Sequence, residues 1–249
     1  MRFVTTSWDD GDPNDLRIAD LLRGHSLPGT FYVPLTEYRG RKILCTNELR
    51  SLRSAGFEIG GHSISHPKLP KLNRKQVAHE VRECKQRLEQ TLGENVLMFC
   101  YPYGRFDDQV VGEVRDAGYR GARTTRMFSV ATEFLPFEMP ITLQAYPHGV
   151  TGYLRNLGRA RNLPGLWTYM TRLRKTPNWV DLGKQLFNEV LQDGGIWHLY
   201  GHSWEIEELG IWGQLRELLD YVCKREGVTY ATNGKLLSMT NCGSHCTKS

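Results

Sequence analysis

Short apolar runs alternate with stretches of helical period through the first half of the chain. Phe3 to Ser7 reads as a strand, with Asp9-Asp10-Gly11 as the corner after it. Asp12-Pro13 then opens a helix, Asp12 as cap and Pro13 at the first helical position. Further strands are predicted over 27–33, 57–60, 96–100 and 120–124. Between them lie helices over 47–55, stopped by Gly56, and over 73–93, closed by Gly93. Another is capped by Asp107 and stops at Gly118. The longest carries Val77, Val81, Cys84, Leu88 and Leu92 on one face, which marks that face, Cys84 included, as core.

The rhythm weakens after residue 125, and 126–178 gives no clear element. It returns as a helix over 179–192, a strand over 196–200, a helix over 211–225 and a strand over 228–231. Seven strands alternating with helices imply a parallel α/β sheet. No internal repeat, low-complexity run or linker divides the chain, so residues 1–249 are expected to form one domain.

In parallel α/β folds the loops at the carboxyl ends of the strands carry the chemistry. Asp9 and Asp10, His62 and His66, Tyr103, and His202 all lie just past a predicted strand end. Two histidines four apart often decorate a helix. Here Gly60-Gly61 precede them and Pro67 follows His66, which disfavours helix at His66 and predicts a loop. One aspartate with two histidines makes a three-donor set for a divalent metal and leaves a coordination position open. The second aspartate of the pair is then close enough to take a proton from water. That is the outline of a metal-assisted hydrolase.

The segments Asp9-Asp10-Gly11, His62-Ser63-Ile64-Ser65-His66 and Pro102-Tyr103-Gly104 resemble three motifs of the polysaccharide deacetylases, carbohydrate esterase family 4. The resemblance implies a distorted (β/α) barrel of about seven parallel strands. It further implies that Asp10, His62 and His66 bind the metal, that Asp9 is the catalytic base, and that the Tyr103 backbone N–H helps hold the oxyanion. The family's general acid is a histidine after a late strand. In Trp197-His198-Leu199-Tyr200-Gly201-His202-Ser203-Trp204-Glu205 both His198 and His202 qualify, and His202, beside Gly201, is favoured over the in-strand His198. Trp204 is expected to line the pocket, although core packing accounts for it nearly as well.

The chain also departs from the pattern. Cys100 stands where the family usually has the arginine that positions the base; Arg105 and Arg123 are candidate substitutes, with ordinary surface or salt-bridge roles favoured for both. No fourth motif is evident, and Asp181, Glu205 and Glu207 are the candidates to orient the histidine.

The remaining composition refines this picture. At 40% hydrophobic and 24% charged residues the chain has material for a globular core. It lacks a run of about 18 apolar residues, so no spanning helix is expected. With no apolar signal region at Met1-Arg2-Phe3, a cytoplasmic setting is expected, and with it free thiols at the six cysteines. Cys242, His245 and Cys246 can form a metal cluster, but a frayed tail is the better reading. His25, His79, His148 and His245 have no partner pattern and are expected at the surface.

Residues 151–177 hold Arg155, Arg159, Arg161, Arg172, Arg174 and Lys175 with no acid, more positive charge than the chain's net +5. A solvated basic surface is the plain explanation. The sharper one is attraction to phosphate on a nucleotide- or lipid-linked sugar, or to an anionic membrane surface, with Trp167, Tyr169 and Met170 as apolar contacts. Nothing resembles a nucleic-acid-binding motif.

The expected function is removal of an N-acyl group, acetyl first, from an amino sugar. The expected substrate is a cytosolic nucleotide- or lipid-linked precursor of surface polysaccharide. The cofactor is one divalent ion, zinc by ligand type, with cobalt or nickel next. Two alternatives stay open: hydrolysis of a non-sugar linear or cyclic amide, and a non-catalytic metal- or sugar-binding relative.

Overall fold

The computed structural model describes residues 1–37, 40–173 and 175–241. Arg174 of the basic stretch and the Cys242/His245/Cys246 tail lie outside these described residues.

Strands β1 (Arg2–Asp9), β2 (Thr30–Val33), β3 (Glu58–Gly61), β4 (Met98–Cys100) and β5 (Gly121–Arg123) pair in parallel in sequence order. On the other side of β1 lie β7 (Gly195–His202) and then β6 (Leu143–Gln144), giving the order β5-β4-β3-β2-β1-β7-β6. Every pairing is parallel, and seven strands form the path of a curled barrel. The segment from Met139 to Gln144 closes it. On one side Met139 N bonds Ala122 O and Thr124 N bonds Met139 O; on the other Thr142 N bonds His198 O and β6 pairs β7.

Helices α1 (Asp15–Gly24), α2 (Thr46–Ser54), α3 (Arg74–Leu92), α4 (Asp108–Asp116) and α7 (Trp179–Asp193) flank the sheet. Asn73 caps α3 by accepting from Gln76 N at 3.0 Å, worth about 1 kcal/mol. Gly93, at φ +73°, ends it in the left-handed stop conformation. Val77, Val81, Cys84 and Leu88 of α3 are buried, and Leu92 is partly buried against the same core.

Two elements differ from the sequence expectation. The Asp12 carboxylate accepts from Asn14 N at 2.9 Å in a tight turn, so α1 starts at Asp15 rather than at Pro13. The segment expected as the seventh wall, 228–231, contributes only β8 (Thr229–Tyr230), which pairs the start of β1 off the barrel path. The missing wall is β6, inside the stretch that gave no clear element: two residues carry no period. The same stretch holds α5 (Val150–Arg159) and α6 (Leu163–Thr171). After β7 come α8 (Ser203–Glu208), α9 (Trp212–Val222) and α10 (Asn233–Asn241). Among the described residues no helix is long and apolar enough to cross a membrane.

Candidate active site

The sheet register assembles the site. At the carboxyl ends of the strands, Asp9 is the direct partner of His202 on β7 and of Tyr32 on β2, and Cys100 is the partner of Arg123. Asp9, Asp10, His62, His66, Tyr103 and His202 all line one cavity of about 930 Å³. His202 is the last residue of β7, which runs two residues beyond the strand expected over 196–200.

Tight backbone aims these side chains. Asp10, Ser63, His66 and Tyr103 all have positive φ (77°, 67°, 54° and 59°), a conformation that costs non-glycine residues energy and tends to cluster at functional sites. Gly11 follows at φ +61°, and a Cβ there would meet Val33 Cγ1 at 2.8 Å, so the corner needs glycine. The histidine segment is a loop, as Pro67 predicts. Glu80, on α3, fastens it by accepting from Ile64 N at 2.8 Å, Ser65 N at 3.0 Å and Ser65 Oγ at 2.6 Å. Within the loop Ser63 Oγ accepts from His66 N at 3.0 Å.

Three donor atoms converge. His62 Nε2 lies 3.1 Å from His66 Nε2 and 3.5 Å from Asp10 Oδ1, and His66 Nε2 lies 3.3 Å from Asp10 Oδ1. A tetrahedral ion with ligand bonds of about 2.0–2.1 Å spaces its donors by about 3.3–3.4 Å, so the triangle has the size of a metal site. Asp10 Oδ1 is buried and faces the Nε2 atoms of His62 and His66, as an atom kept for a cation would. His62 Nδ1 donates to Cys100 O at 2.8 Å, which leaves Nε2 as the lone-pair nitrogen.

The charge states agree. Burial opposes ionisation of Asp10, but hydrogen bonding to His62 and the charges of His202 and His62 hold its carboxyl far below the usual range. His66 is pushed down to about 3 by burial and by His62, so it is neutral. His62 is pushed up, against burial, by Cys100, Asp10 and Asp9: the site favours positive charge at this nitrogen. Asp9, His62 and Cys100 form a second donor cluster. Burial raises the Cys100 thiol, which a metal needs as thiolate, and Asp9 Oδ1 is already engaged, so the Asp10 set fits better.

Asp9 is held by Arg123. The buried guanidinium forms an ion pair with Asp9 Oδ1, and Cys100 Sγ donates weakly to Asp9 Oδ2 at 3.5 Å. The expectation that Arg123 had an unrelated surface or salt-bridge role is corrected, because curling of the sheet carries β5 back to β1. Arg105 is exposed on the cavity wall. Burial alone would raise the Asp9 carboxyl; Arg123, His62 and His202 hold it below its usual value.

His202 Nδ1 pairs with Glu205 Oε2 at 2.7 Å, and its Nε2 faces Tyr200 Oη at 3.4 Å and Asp10 Oδ2 at 3.8 Å. Against burial, Glu205 first and then Asp10 and Asp9 raise it to about 9. Of the candidates to orient this histidine, Glu205 is the one in contact; Asp181 lies in the first turn of α7 and Glu207 pairs with Arg17. His198 bonds Ser7 Oγ at 2.8 Å and Pro140 O at 3.1 Å, fully within the core. Trp204 donates to Asp10 Oδ2 at 3.0 Å and lines the cavity.

Two surface expectations are corrected. His25 is buried, with Nε2 on Asp220 Oδ1 of α9 at 2.8 Å and Nδ1 on Leu21 O at 2.7 Å; His148 is half-buried on Gln144 Oε1 at 2.9 Å. His79 is exposed as expected. Cys45, Cys84, Cys100 and Cys223 are free thiols. Sequence reasoning missed Glu80, whose only signal is an acid one turn before Cys84 on α3.

Fold and site together define a (β/α) barrel protein with a candidate metal site at the carboxyl rim of its strands. Residues 1–122 match the family model described as polysaccharide deacetylase, and the chain belongs to that family. Over 119 residues it is 29% identical to the chitooligosaccharide deacetylase of Sinorhizobium fredii, covering 46% of this chain and 53% of that one. Over 113 residues it is 25% identical to the peptidoglycan-N-acetylglucosamine deacetylase PgdA of Listeria monocytogenes, covering 45% and 23%. The chain thus spans about half the length of the first relative and less of the second. In fold it is similar to a Mycobacterium smegmatis protein provisionally described as a polysaccharide deacetylase. That match has a TM-score of 0.71 at 16% identity and covers 97% of this chain and 91% of the other.

Proposed function

We propose that the chain is a metal-dependent hydrolase that removes an N-acyl group, most simply acetyl, from an amino sugar, with residues 1–249 acting as one catalytic domain. The observation that carries this reading is the donor triangle of Asp10, His62 and His66 set between two separately held proton carriers, Asp9 on Arg123 and His202 on Glu205. The relatives, named for deacetylation of chitooligosaccharide and peptidoglycan N-acetylglucosamine, support the substrate class.

Asp10 Oδ1, His62 Nε2 and His66 Nε2 would hold the ion, zinc by donor type, with cobalt or nickel next. When bound, a divalent ion supplies Lewis-acid polarisation of the acyl carbonyl and lowers the pKa of water towards about 7. Asp9, kept ionised by Arg123, takes the proton of the attacking water as its oxygen bonds the acyl carbon. The Tyr103 backbone N–H donates to the developing oxyanion. His202, cationic beside Glu205, gives its proton to the nitrogen as the C–N bond breaks, so carboxylate and amine leave. Each proton carrier is worth about 10²–10⁴ in rate.

The finer substrate is part of the same proposal. Lys68, Lys71, Arg105, Arg126, Arg159 and Arg161 line the cavity, and its acids are Asp9, Asp10 and Glu205 near the donor triangle. A basic mouth around a small anionic floor favours a sugar carrying phosphate, as in a nucleotide- or lipid-linked precursor of surface polysaccharide. A cytoplasmic setting belongs to this proposal.

The test is amine release by zinc-loaded protein across free, nucleotide-linked and lipid-linked N-acetyl amino sugars and a set of cyclic amides. The reading expects turnover of a phosphate-linked amino sugar, abolished in Asp9→Asn and His202→Ala. Turnover confined to the cyclic amides would overturn it.

A further inference from the structure

Helix α6 turns an apolar side outward. Leu163, Trp167 and Met170 are 72%, 64% and 42% exposed. Their spacing of four and three residues places them in one stripe along the helix. The opposite side carries Gly165 and Tyr169, both buried, with Tyr169 stacked on Phe128 at 5.2 Å between ring centroids. Asn162 anchors the helix start by donating to Met127 O at 2.6 Å. The helix is therefore seated by one face and presents the other. Single exposed apolar side chains are ordinary; a row of three including a tryptophan marks an interaction surface.

The charge around this row is of one sign. Arg155, Arg159, Arg161 and Lys175 are exposed and form no ion pair among the described residues, while Arg172 pairs with Glu189 at 3.2 Å. No acid occurs between residues 151 and 180. A second copy of this chain docked face to face would oppose the same cations to themselves, because a two-fold interface uses one patch twice. An anionic bilayer meets both features: lipid phosphates face the cations, and the apolar stripe enters the headgroup boundary.

We propose that the α5–α6 hairpin docks on an anionic lipid bilayer through Leu163, Trp167 and Met170, flanked by the arginines of 151–161. Asn156, Arg159, Ala160 and Arg161 also line the cavity over the donor triangle, so docking sets the cavity mouth beside the bilayer surface. Tyr169, expected among the apolar contacts, takes no part because it is buried. The proposal is independent of the chemistry assigned to the site.

The experiment is co-sedimentation of the full chain with vesicles of phosphatidylcholine alone or with about one-third phosphatidylglycerol. Wild type should pellet with the mixed vesicles only and be released by high salt. Trp167→Ser should weaken binding roughly tenfold and Trp167→Phe should retain most of it, while turnover of a short soluble substrate stays at the wild-type level in both. Wild type left in the supernatant with both vesicle types would overturn the proposal, as would Trp167→Ser pelleting like wild type. A dimer in sedimentation velocity that Trp167→Ser dissolves would assign the stripe to a second copy and overturn it equally.

Discussion

Arg123 and Asp9 stand four strand pairings apart along the sheet, on β5 and β1, yet form an ion pair inside the barrel. The pair exists because the sheet curls closed. The Arg123 guanidinium, fully buried, also lies over the Tyr200 ring at 4.2 Å, so it is fixed on two sides. Burial by itself would push Asp9 towards its protonated form, and Arg123 is what reverses that.

Removing this arginine should therefore damage both activity and fold. Arg123→Met leaves a carboxylate buried without its counter-charge, a change that costs about 3–5 kcal/mol when one partner of a buried pair is lost. The proton-accepting role of Asp9 falls with it, so kcat should drop at least about 10²-fold. Arg123→Lys keeps the charge but not the planar fork and should fall between the two. Urea midpoints and kcat on one substrate check this, and wild-type kcat in Arg123→Met would remove Arg123 from the site.

Much of this arrangement was legible in the sequence, and what was not has a common cause. Strand ends were readable because apolar runs stop at Gly11, Gly61 and the Pro102-Tyr103-Gly104 turn, which brought five of the six site positions to one rim before any contact was known. His202 was equally placed by the run Trp197 to Gly201. The Arg123–Asp9 pair was not, because it depends on closure through Met139 to Gln144, where β6 is two residues long and has no periodicity. Glu205 was only one of three candidate acids, with Asp181 and Glu207, and its choice follows from α8 starting immediately after β7. The contact of His25 with Asp220 likewise joins residues 195 apart in the chain, which no local pattern shows.

His198 should impose a pH dependence on stability. Burial first, and Arg123 second, push it down to about 3, whereas the unfolded chain returns it to its ordinary value near 6.5. Its contribution is fully present above 6.5 and is lost as pH falls from there towards 3, because only the unfolded state takes up the proton. Over that window the loss is about 1.4 kcal/mol per pH unit at most. His198→Gln removes the titration, so the stability gap between wild type and variant should narrow as pH falls from 7 to about 4. Parallel urea curves at both pH values would show that His198 titrates normally.

Metal removal should be visible in stability as well as in activity. Because the donor triangle exists only in the folded chain, free ion at about 100 times its dissociation constant should add about 2.7 kcal/mol. Chelation should lower the wild-type melting temperature and leave those of Asp10→Asn, His62→Ala and His66→Ala unchanged. Metal content after gel filtration gives the second reading, and wild-type occupancy in both histidine variants would refute the assignment of these ligands.

Glu80 is the residue whose removal should separate metal affinity from folding. Its carboxylate takes three hydrogen bonds from Ile64 and Ser65, between the two candidate ligands His62 and His66. Ser63 and His66 hold left-handed backbone that relaxes unless something fastens the loop. Glu80→Ala frees that loop while leaving the buried α3 face, Val77, Val81, Cys84 and Leu88, in place. Zinc affinity should fall about 10–100-fold, the size seen when outer-shell support of a metal ligand is lost. Stability of the metal-free chain should change by only about 1–3 kcal/mol. Saturating zinc should then restore most of kcat, since the ligands themselves remain. Titration of the metal-free proteins with zinc, followed by kcat at saturation, decides it: unchanged affinity, or a kcat that zinc cannot recover, would show that Glu80 does not act by holding the histidine loop.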